Sequence, residues 1–347
     1  MSGLAQVNAG GMSGGSLHAP ASLHAGGPLH ADGSLHADAI VFDAPGAVRL
    51  APLALIEPGP EDVVVESRWS GISTGTESLL LTGSMPPFPG LSYPLVPGYE
   101  SVGTVLRAGS RSGRREGDLV FVPGARCHEG AADLFGATSS HLVVPGARTV
   151  PVREEWGEAS VLLALAATAH HALAAPAATP PDLIVGHGVV GRLLARLTVA
   201  LGHDAPTVWE REEIRRGGAE GYRVIDPDRD ERMDYRSPFD ASGDSTILDR
   251  LVARTAKGAE IVLAGFYARP LQFAFSPAFM RETRIRIAAE FTPADMQAVI
   301  ALVSDGALSL DGLVTHSSPA TEAASAYRTA FGQPACLKMI LDWRDAR

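Results

Sequence analysis

Residues 181–197 read Pro-Asp-Leu-Ile-Val-Gly-His-Gly-Val-Val-Gly-Arg-Leu-Leu-Ala-Arg-Leu. The apolar run Leu-Ile-Val is typical of a buried strand, and the Gly-x-Gly-x-x-Gly pattern after it is typical of a turn that opens a helix. In such a turn the glycines let the backbone approach a pyrophosphate, and the helix N-terminus offers free N–H groups to the phosphates. The stretch therefore predicts a dinucleotide site formed by Gly186, His187, Gly188, Val189, Val190 and Gly191.

A second strand ending in an acidic residue supports this prediction. Residues 207–210 read Thr-Val-Trp-Glu and place Glu210 roughly 20 residues after the glycine turn, where a carboxylate binds the ribose hydroxyls of the cofactor. A carboxylate there repels a 2′-phosphate, so NAD is the expected cofactor. The next residue, Arg211, could accommodate that phosphate instead, which keeps NADP as the alternative.

Composition and charge indicate a globular protein with a small-molecule partner. The chain has 347 residues, enough for two domains, with 46% hydrophobic and 20% charged residues. A formal net charge of −10, without long lysine or arginine runs, argues against a nucleic-acid surface or a polybasic membrane anchor. The two cysteines, Cys127 and Cys336, cannot form a disulfide framework, so a cytoplasmic location is expected. The longest apolar stretch, residues 159–175, contains two histidines and predicts a buried helix rather than a membrane span.

The chain begins with a repetitive segment. Residues 16–39 form four imperfect hexapeptides built around Leu-His-Ala and embedded in glycine, serine and alanine. Such a composition cannot form a packed core, so residues 1–38 are predicted to be a disordered tail. The segment has no basic start followed by an apolar core, so it is not expected to be a secretory signal. Its histidines are expected to be solvated rather than to bind a functional metal ion.

Two patterns of secondary structure follow the tail. Short strands punctuated by proline and glycine predict a small all-β domain over residues 39–160, whereas alternating strands and helices predict a parallel, doubly wound sheet over residues 161–290. Strands are predicted at residues 39–42, 62–66, 101–106, 119–122, 141–144, 183–185, 208–210, 237–241, 261–265 and 337–341. A further helix is predicted to begin after Thr292, with Thr292 as its cap and Pro293 at its first position.

Three segments carry a resemblance to a known family. Residues 70–77 read Ser-Gly-Ile-Ser-Thr-Gly-Thr-Glu, residues 97–103 read Pro-Gly-Tyr-Glu-Ser-Val-Gly, and residues 168–173 read Thr-Ala-His-His-Ala-Leu. In this order they resemble segments of the medium-chain dehydrogenase/reductase family. The resemblance implies an α/β protein with a GroES-like β-barrel catalytic domain, completed by residues 291–347, and a Rossmann domain that binds a nicotinamide cofactor. It also implies an alcohol dehydrogenase activity.

The sequence departs from the family where zinc members bind their metal ions. Ser73 or Thr74 stands in the region of the family's first cysteine ligand, and Tyr99 replaces the ligand histidine. The lobe that holds four cysteines in those members contains only Cys127. No metal site is therefore expected, and a path of hydroxyl groups must move the proton. The candidate catalytic residues are Thr76, Tyr99 and Ser73.

Several of these residues have a plainer alternative. Tyr99 would need a nearby positive charge, such as the nicotinamide ring of NAD⁺, to act as a base near pH 7, and otherwise it is a structural tyrosine. His170 and His171 could relay a proton, but a packed histidine that bonds a backbone carbonyl is expected. Glu100 is expected to bind a loop arginine. In the second domain the resemblance places Thr168 behind the nicotinamide, and strand ends place Ser242 and Phe266 at the cofactor.

Longer phrases, among them residues 69–77, 85–90, 93–103 and 336–343, resemble a narrower group within the family. This resemblance implies NAD-dependent oxidation of the hydroxyethyl side chain of a bacteriochlorin, a tetrapyrrole pigment, to an acetyl group. The expected substrate pocket contains Met85, Phe88, Tyr267 and Phe279, although the same stretches could be core or a homodimer interface. A zinc-free quinone or enone reductase and a non-catalytic tetrapyrrole-binding carrier are the alternatives.

Overall fold

A computed structural model describes residues 34–344. The strands are β1 (His36–Ala44), β2 (Ala47–Ala54), β3 (Asp62–Ile72), β4 (Leu95–Val96), β5 (Ser101–Ala108), β6 (Leu119–Val122), β7 (Ala132–Asp133), β8 (His141–Pro145), β9 (Val150–Pro151), β10 (Leu183–Val185), β11 (Thr207–Trp209), β12 (Arg223–Ile225), β13 (Pro238–Asp240), β14 (Glu260–Leu263), β15 (Arg284–Ile287), β16 (His316–Pro319) and β17 (Met339–Asp342). The α-helices are α1 (Thr76–Thr82), α2 (Leu163–Leu173), α3 (Val189–Ala200), α4 (Ile247–Arg254), α5 (Phe275–Arg281), α6 (Pro293–Ser304) and α7 (Ala323–Gly332).

Two sheets form the β domain. One has the order β2-β1-β4-β7, and the other has the order β16-β17-β3-β5-β6-β9, with β8 paired to β3. Ile40 of β1, Ile72 of β3 and Leu341 of β17 share one buried apolar cluster. Strand β17 pairs antiparallel with β3. The C-terminal segment therefore returns to the first domain, as the family resemblance implies.

The second domain is built on six parallel strands in the order β12-β11-β10-β13-β14-β15. The central strand β10 is buried along its length, since Leu183 and Ile184 are fully buried. Parallel sheets bury both faces under helices, which accounts for this burial. The predicted doubly wound α/β sheet is confirmed. The strand order reverses beside β10, and such a switch point creates a crevice at the carboxyl ends of the strands.

The first strand begins earlier than the sequence analysis predicts. β1 starts at His36, and Leu35 and Ala37 are each only 3% exposed. Leu-His-Ala alternates apolar and polar residues, which suits a strand with one buried face. The predicted boundary of the tail at residue 38 is therefore wrong for this last repeat, while the other repeats lie outside the described residues.

One apolar cluster connects the two domains. It contains Trp69 and Phe121 of the β domain, most of α2, and Val189 and Leu193 of α3. Helix α6 begins as predicted, with Thr292 and Asp295 forming a capping box and Pro293 in the first turn. None of the helices in residues 34–344 has the length and apolar character that crossing a membrane requires.

Candidate active site

The glycine turn has the geometry that a pyrophosphate requires. Gly186 has φ +93°, and a Cβ on Gly191 would lie 1.8 Å from the Gly186 carbonyl oxygen, so neither position tolerates a side chain. Gly188, in contrast, has open space where its Cβ would be. Gly188 precedes α3, whose first turn has no side-chain cap. The backbone at the start of α3 therefore borders open space at Gly188, and its first N–H groups have no side-chain cap, as phosphate binding at a helix N-terminus requires.

Glu210 lies directly after β11 and next to this turn. Its Oε2 accepts a hydrogen bond from the His187 backbone N–H at 2.9 Å, and its Oε1 accepts one from the Glu212 N–H at 2.9 Å. Each carboxylate oxygen can accept a second bond. The structure thus fixes the carboxylate beside the glycine turn and leaves it able to bind ribose hydroxyls.

The side chain of His187 points away from the turn. Its Nδ1 lies 2.6 Å from the Arg215 carbonyl oxygen, and its Nε2 lies 2.8 Å from the Tyr222 hydroxyl. Burial lowers the pKa of His187 to about 4, so the imidazole is neutral. His187 can therefore contact a cofactor only through its backbone, while its imidazole supports the loop that follows β11.

A buried arginine that the sequence analysis missed holds the same loop. Arg192 of α3 is 4% exposed and donates hydrogen bonds to the carbonyl oxygens of His187, Arg215 and Gly217 at 2.9 to 3.0 Å. The sequence alone does not show whether an arginine in a helix is exposed to solvent or buried. Only its five donors, which can satisfy several loop carbonyls at once, could have suggested this role.

At the carboxyl ends of β13 and β14, Asp240 links two of the predicted site residues. Its Oδ1 accepts a bond from the Ser242 hydroxyl at 2.6 Å, and its Oδ2 accepts one from the Tyr267 hydroxyl at 2.5 Å. Phe266 is 40% exposed at this edge, and Thr168 is half-buried on α2. The structure places Ser242, Phe266 and Tyr267 at the sheet edge where open α/β sheets bind ligands.

The three predicted catalytic hydroxyls lie together. The oxygens of Ser73 and Tyr99 are 2.5 Å apart, and the Thr76 hydroxyl donates to Ser73 at 3.1 Å and to Tyr99 at 3.4 Å. Tyr99 packs edge-on against Phe135, with ring centroids 5.5 Å apart. We call Ser73, Thr76 and Tyr99 the hydroxyl cluster. It provides a continuous path along which a proton can move.

The electrostatic surroundings do not favour an ionised tyrosine. Burial raises the pKa of Tyr99 well above its ordinary value, and the nearby Glu100 raises it further. Tyr99 is therefore a neutral hydroxyl near pH 7, able both to donate and to accept a hydrogen bond.

Two buried carboxylates lie behind the hydroxyl cluster. Glu77 accepts hydrogen bonds from the Ser73 backbone N–H at 2.8 Å and from the Tyr327 hydroxyl at 2.5 Å. Burial raises the pKa of Glu77 to about 7. Glu100 binds Lys338 Nζ at 2.7 Å rather than the predicted loop arginine, which is a correction. Lys338 immediately precedes β17 and is distant from Glu100 in the sequence, so no local sequence pattern links the two residues.

Lys338 also fixes the backbone beside the hydroxyl cluster. Its Nζ donates to the Ile72 carbonyl oxygen at 3.1 Å, one residue before Ser73. Glu100 can reach this position because the residue opposite it on β3 is Gly71, where a Cβ would lie 2.2 Å from Glu100 Oε2. Glu77, Tyr327 and Lys338 are thus supporting residues of the site that the sequence analysis missed.

The two histidines of α2 differ from their expected contacts. His170 Nδ1 lies 2.8 Å from Asp295 Oδ1, and His171 Nδ1 lies 2.9 Å from Asp295 Oδ2. The predicted bond to a backbone carbonyl is therefore wrong, because the capping carboxylate of α6 supplies both acceptors. Burial opposes the charge on Asp295, but its hydrogen bonds to Thr292 and to both histidines outweigh burial and lower its pKa.

The four predicted pocket residues have different environments. Met85 is 8% exposed and belongs to the buried apolar core of the β domain, so little of its side chain is accessible to a substrate. Phe88 is half-buried and packs edge-on against Phe135, with centroids 6.2 Å apart, which connects it to the hydroxyl cluster through one ring. Phe279 is 63% exposed on α5, with its ring 5.6 Å from that of Phe275.

In residues 34–344, no group of three histidine, cysteine, aspartate or glutamate side chains is arranged to hold a metal ion. The two residues that the family resemblance places in the zinc-binding region, Ser73 and Tyr99, present hydroxyl oxygens 2.5 Å apart. Neutral hydroxyls are poor ligands for Zn²⁺. Cys127 and Cys336 are both buried free thiols.

The fold and the site together define a dehydrogenase of the medium-chain dehydrogenase/reductase family, and the chain belongs to that family. Residues 59–154 match the alcohol dehydrogenase GroES-like domain. A curated relative from Rhodobacter capsulatus, named 2-desacetyl-2-hydroxyethyl bacteriochlorophyllide A dehydrogenase, is 55% identical over 309 residues, which cover 89% of this chain and 98% of the relative. A relative of the same name from Cereibacter sphaeroides is 57% identical over 311 residues, which cover 88% and 98%.

Solved structures show the same fold. An alcohol dehydrogenase from Escherichia coli CFT073, complexed with NADH, matches with a TM-score of 0.74 and 21% identity, over 89% of this chain and 99% of that one. L-idonate 5-dehydrogenase from Escherichia coli matches with a TM-score of 0.78 and 17% identity, over 89% and 99%.

Proposed function

We propose that this protein is an NAD-dependent dehydrogenase that oxidises the 3-(1-hydroxyethyl) group of bacteriochlorophyllide a to a 3-acetyl group, late in bacteriochlorophyll a biosynthesis. The observation that carries the proposal is 55% and 57% identity over 98% of two relatives with that name. The hydroxyl cluster supports it, because oxidation of an alcohol must remove a proton from the substrate hydroxyl.

The residues of the second domain fit a nicotinamide cofactor. Gly186, Gly188 and the first turn of α3 would hold the pyrophosphate, Glu210 would accept bonds from the ribose hydroxyls, and Thr168 would lie behind the nicotinamide ring. When bound, NAD⁺ supplies the acceptor for the hydride from the carbinol carbon. The choice of NAD over NADP rests on Glu210, whose charge repels a 2′-phosphate.

The hydroxyl cluster would carry the proton. The substrate hydroxyl would bond to Tyr99, which is neutral and can accept a proton from one side while donating one to Ser73 on the other. A proton that reaches Ser73 would leave through Thr76, whose hydroxyl now donates to Ser73 and would have to turn, accept from Ser73 and release its own proton to solvent. Thr76 is half-buried, whereas Ser73 is 5% exposed. This path needs no tyrosinate and no metal ion. We therefore expect that exhaustive treatment with a strong chelator leaves the rate unchanged, and loss of activity restored by zinc would contradict this.

The remaining parts of the proposal concern substrate and assembly. Phe88 and Tyr267 would contact the macrocycle, since flat tetrapyrroles bind mainly through buried apolar area. Phe279 would contribute to a homodimer interface, because Phe275, Phe279, Met280 and Ile287 expose between 63% and 76% of their surface. With two free thiols, a cytoplasmic location is proposed.

A substrate panel tests the proposal. Wild-type enzyme is assayed for NADH formation with hydroxyethyl bacteriochlorophyllide a and with a short-chain secondary alcohol, and for NADH consumption with an enone. We expect the pigment to have the highest kcat/KM by far. A higher kcat/KM with the enone would indicate a C=C reductase instead. Tight pigment binding without turnover of any compound would indicate a carrier.

A further inference from the structure

A pocket of about 150 Å³ in the β domain shares Phe135 with the surroundings of the hydroxyl cluster. Its lining includes Gly124, Arg126, Asp133, Phe135 and Arg148. Phe135 connects it to the site already described, because its ring packs against Tyr99 at a centroid distance of 5.5 Å and against Phe88 at 6.2 Å. A flat ligand large enough to cover Phe135 could therefore reach both Tyr99 and the pocket.

The pocket carries two arginines whose charges are not matched by acidic partners. Arg126 and Arg148 are both exposed. Within the described part of the chain, neither guanidinium is within ion-pair distance of a carboxylate, although most other arginines of that region bind an acidic or carbonyl group. Two free guanidinium groups at one opening are suited to an anion, and their paired donors match the geometry of a carboxylate.

The one acidic residue of the pocket does not cancel this charge. Asp133 Oδ1 lies 2.6 Å from His128 Nδ1, and its Oδ2 accepts the His128 backbone N–H at 3.2 Å. Burial opposes protonation of His128, but the bond to Asp133 outweighs burial and raises the pKa of His128 to about 9. The imidazolium therefore balances the carboxylate near pH 7, and the pocket keeps the charge of its two arginines.

We propose that Arg126 and Arg148 form a carboxylate subsite that binds the propionate side chain of the tetrapyrrole while the hydroxyethyl group lies at the hydroxyl cluster. The inference rests on the proposed function and deepens it. A chlorophyllide is a free acid, in contrast to the esterified pigment, so its propionate is the one permanent anionic group available to these arginines. The subsite would make the enzyme selective for the free acid and would fix which edge of the macrocycle faces Tyr99.

The test compares hydroxyethyl bacteriochlorophyllide a with its propionate methyl ester. Steady-state kinetics are measured with both compounds for the wild type, Arg126→Ala, Arg148→Ala and the double variant. Arg107→Ala is the matched control, because Arg107 is an exposed arginine of the same domain that does not line the pocket. Thermal unfolding checks that every variant is folded.

We expect the wild type and Arg107→Ala to prefer the acid over the ester by about tenfold in kcat/KM, mainly through KM. Each single replacement should raise KM for the acid about threefold and leave KM for the ester unchanged. The double variant should treat both compounds alike. Arg→Lys replacements should restore part of the preference, because the charge is kept and the fork geometry is lost.

Different results would overturn the carboxylate subsite and the proposed function. Wild-type turnover of acid and ester with equal kcat/KM, or an undiminished preference in the double variant, would overturn the subsite while the proposed function stands. Absence of wild-type turnover with either compound would overturn the proposed function itself.

Discussion

Replacing Lys338 with methionine should destabilise the protein strongly, because it leaves a buried carboxylate without its partner. Lys338 Nζ and Glu100 Oε2 are 2.7 Å apart, and the two side chains are 2% and 0% exposed. Breaking such a pair by removing one partner costs about 3–5 kcal/mol, since methionine fills the space but cannot compensate the charge. Lys338→Met should lower the free energy of unfolding in urea by this amount, measured by circular dichroism.

The pH dependence of this loss has a definite sign. Burial already raises the pKa of Glu100, and removal of the cation must raise it further. A buried carboxyl group without a cation destabilises the fold least when it is protonated. The free energy of unfolding that Lys338→Met removes should therefore be larger at about pH 8 than at about pH 5. The double variant Glu100→Gln/Lys338→Met should recover most of the stability, because no buried charge remains.

The matched control is Lys257→Met, which removes an ion pair with Glu282 at 3.0 Å in which both side chains are more than two-thirds exposed. Such surface pairs contribute at most about 1 kcal/mol. If Lys338→Met cost no more than this control, or if the double variant were no more stable than the single variant, the assignment of a buried ion pair behind the active site would be refuted.

Three further predictions concern the site. Glu77→Gln should flatten the pH dependence of stability. Burial raises the pKa of Glu77 from 4.5 to about 7, so the free energy of unfolding of the wild type should fall by about 3 kcal/mol as the pH rises through that window. Parallel dependences of the urea-unfolding free energy on pH for variant and wild type would contradict this. Tyr99→Phe should lower kcat by about 100-fold or more and leave NADH binding, measured by fluorescence, unchanged; a kcat within a few-fold of wild type would exclude Tyr99 from the proton path. Glu210→Ala should lower kcat/KM for NAD⁺ by about tenfold and leave that for NADP⁺ equal or higher. Equal losses with both cofactors would show that Glu210 does not select between them.

Local sequence patterns predicted the parts of the fold in which the residues that determine the structure are close together in the chain. The strand, turn and helix around Gly186 follow one another within a few residues, and backbone sterics alone demand glycine at Gly186 and Gly191. The capping box of Thr292 and Asp295 is equally local. Strands β12 and β15 were missed because they are edge strands of three or four residues, and β15 alternates arginine with isoleucine without a buried face.

The supporting contacts of the site could not be predicted, because they join distant parts of the chain. Lys338 and Glu100 are 238 positions apart, Tyr327 and Glu77 are 250 apart, and Asp295 lies 125 positions from His170. Neither partner of such a pair has a neighbouring pattern that identifies the other. The sequence named Ser73, Thr76 and Tyr99 as one set of candidates, and the structure brings their hydroxyls together. The sequence could not show that burial raises the pKa of Tyr99.

The proposed activity is oxidation of a hydroxyethyl group on a tetrapyrrole, with NAD⁺ as the proposed hydride acceptor and the hydroxyl cluster as the proposed proton path. The most direct measurement is to incubate the protein with NAD⁺ and 3-hydroxyethyl bacteriochlorophyllide a and to record the pigment and NADH absorption in the same sample. Oxidation conjugates the new acetyl carbonyl with the ring, so the long-wavelength pigment band should shift to the red while NADH forms in equal amount. An unshifted pigment band without NADH, in a protein that turns over a short-chain alcohol or an enone, would contradict the account.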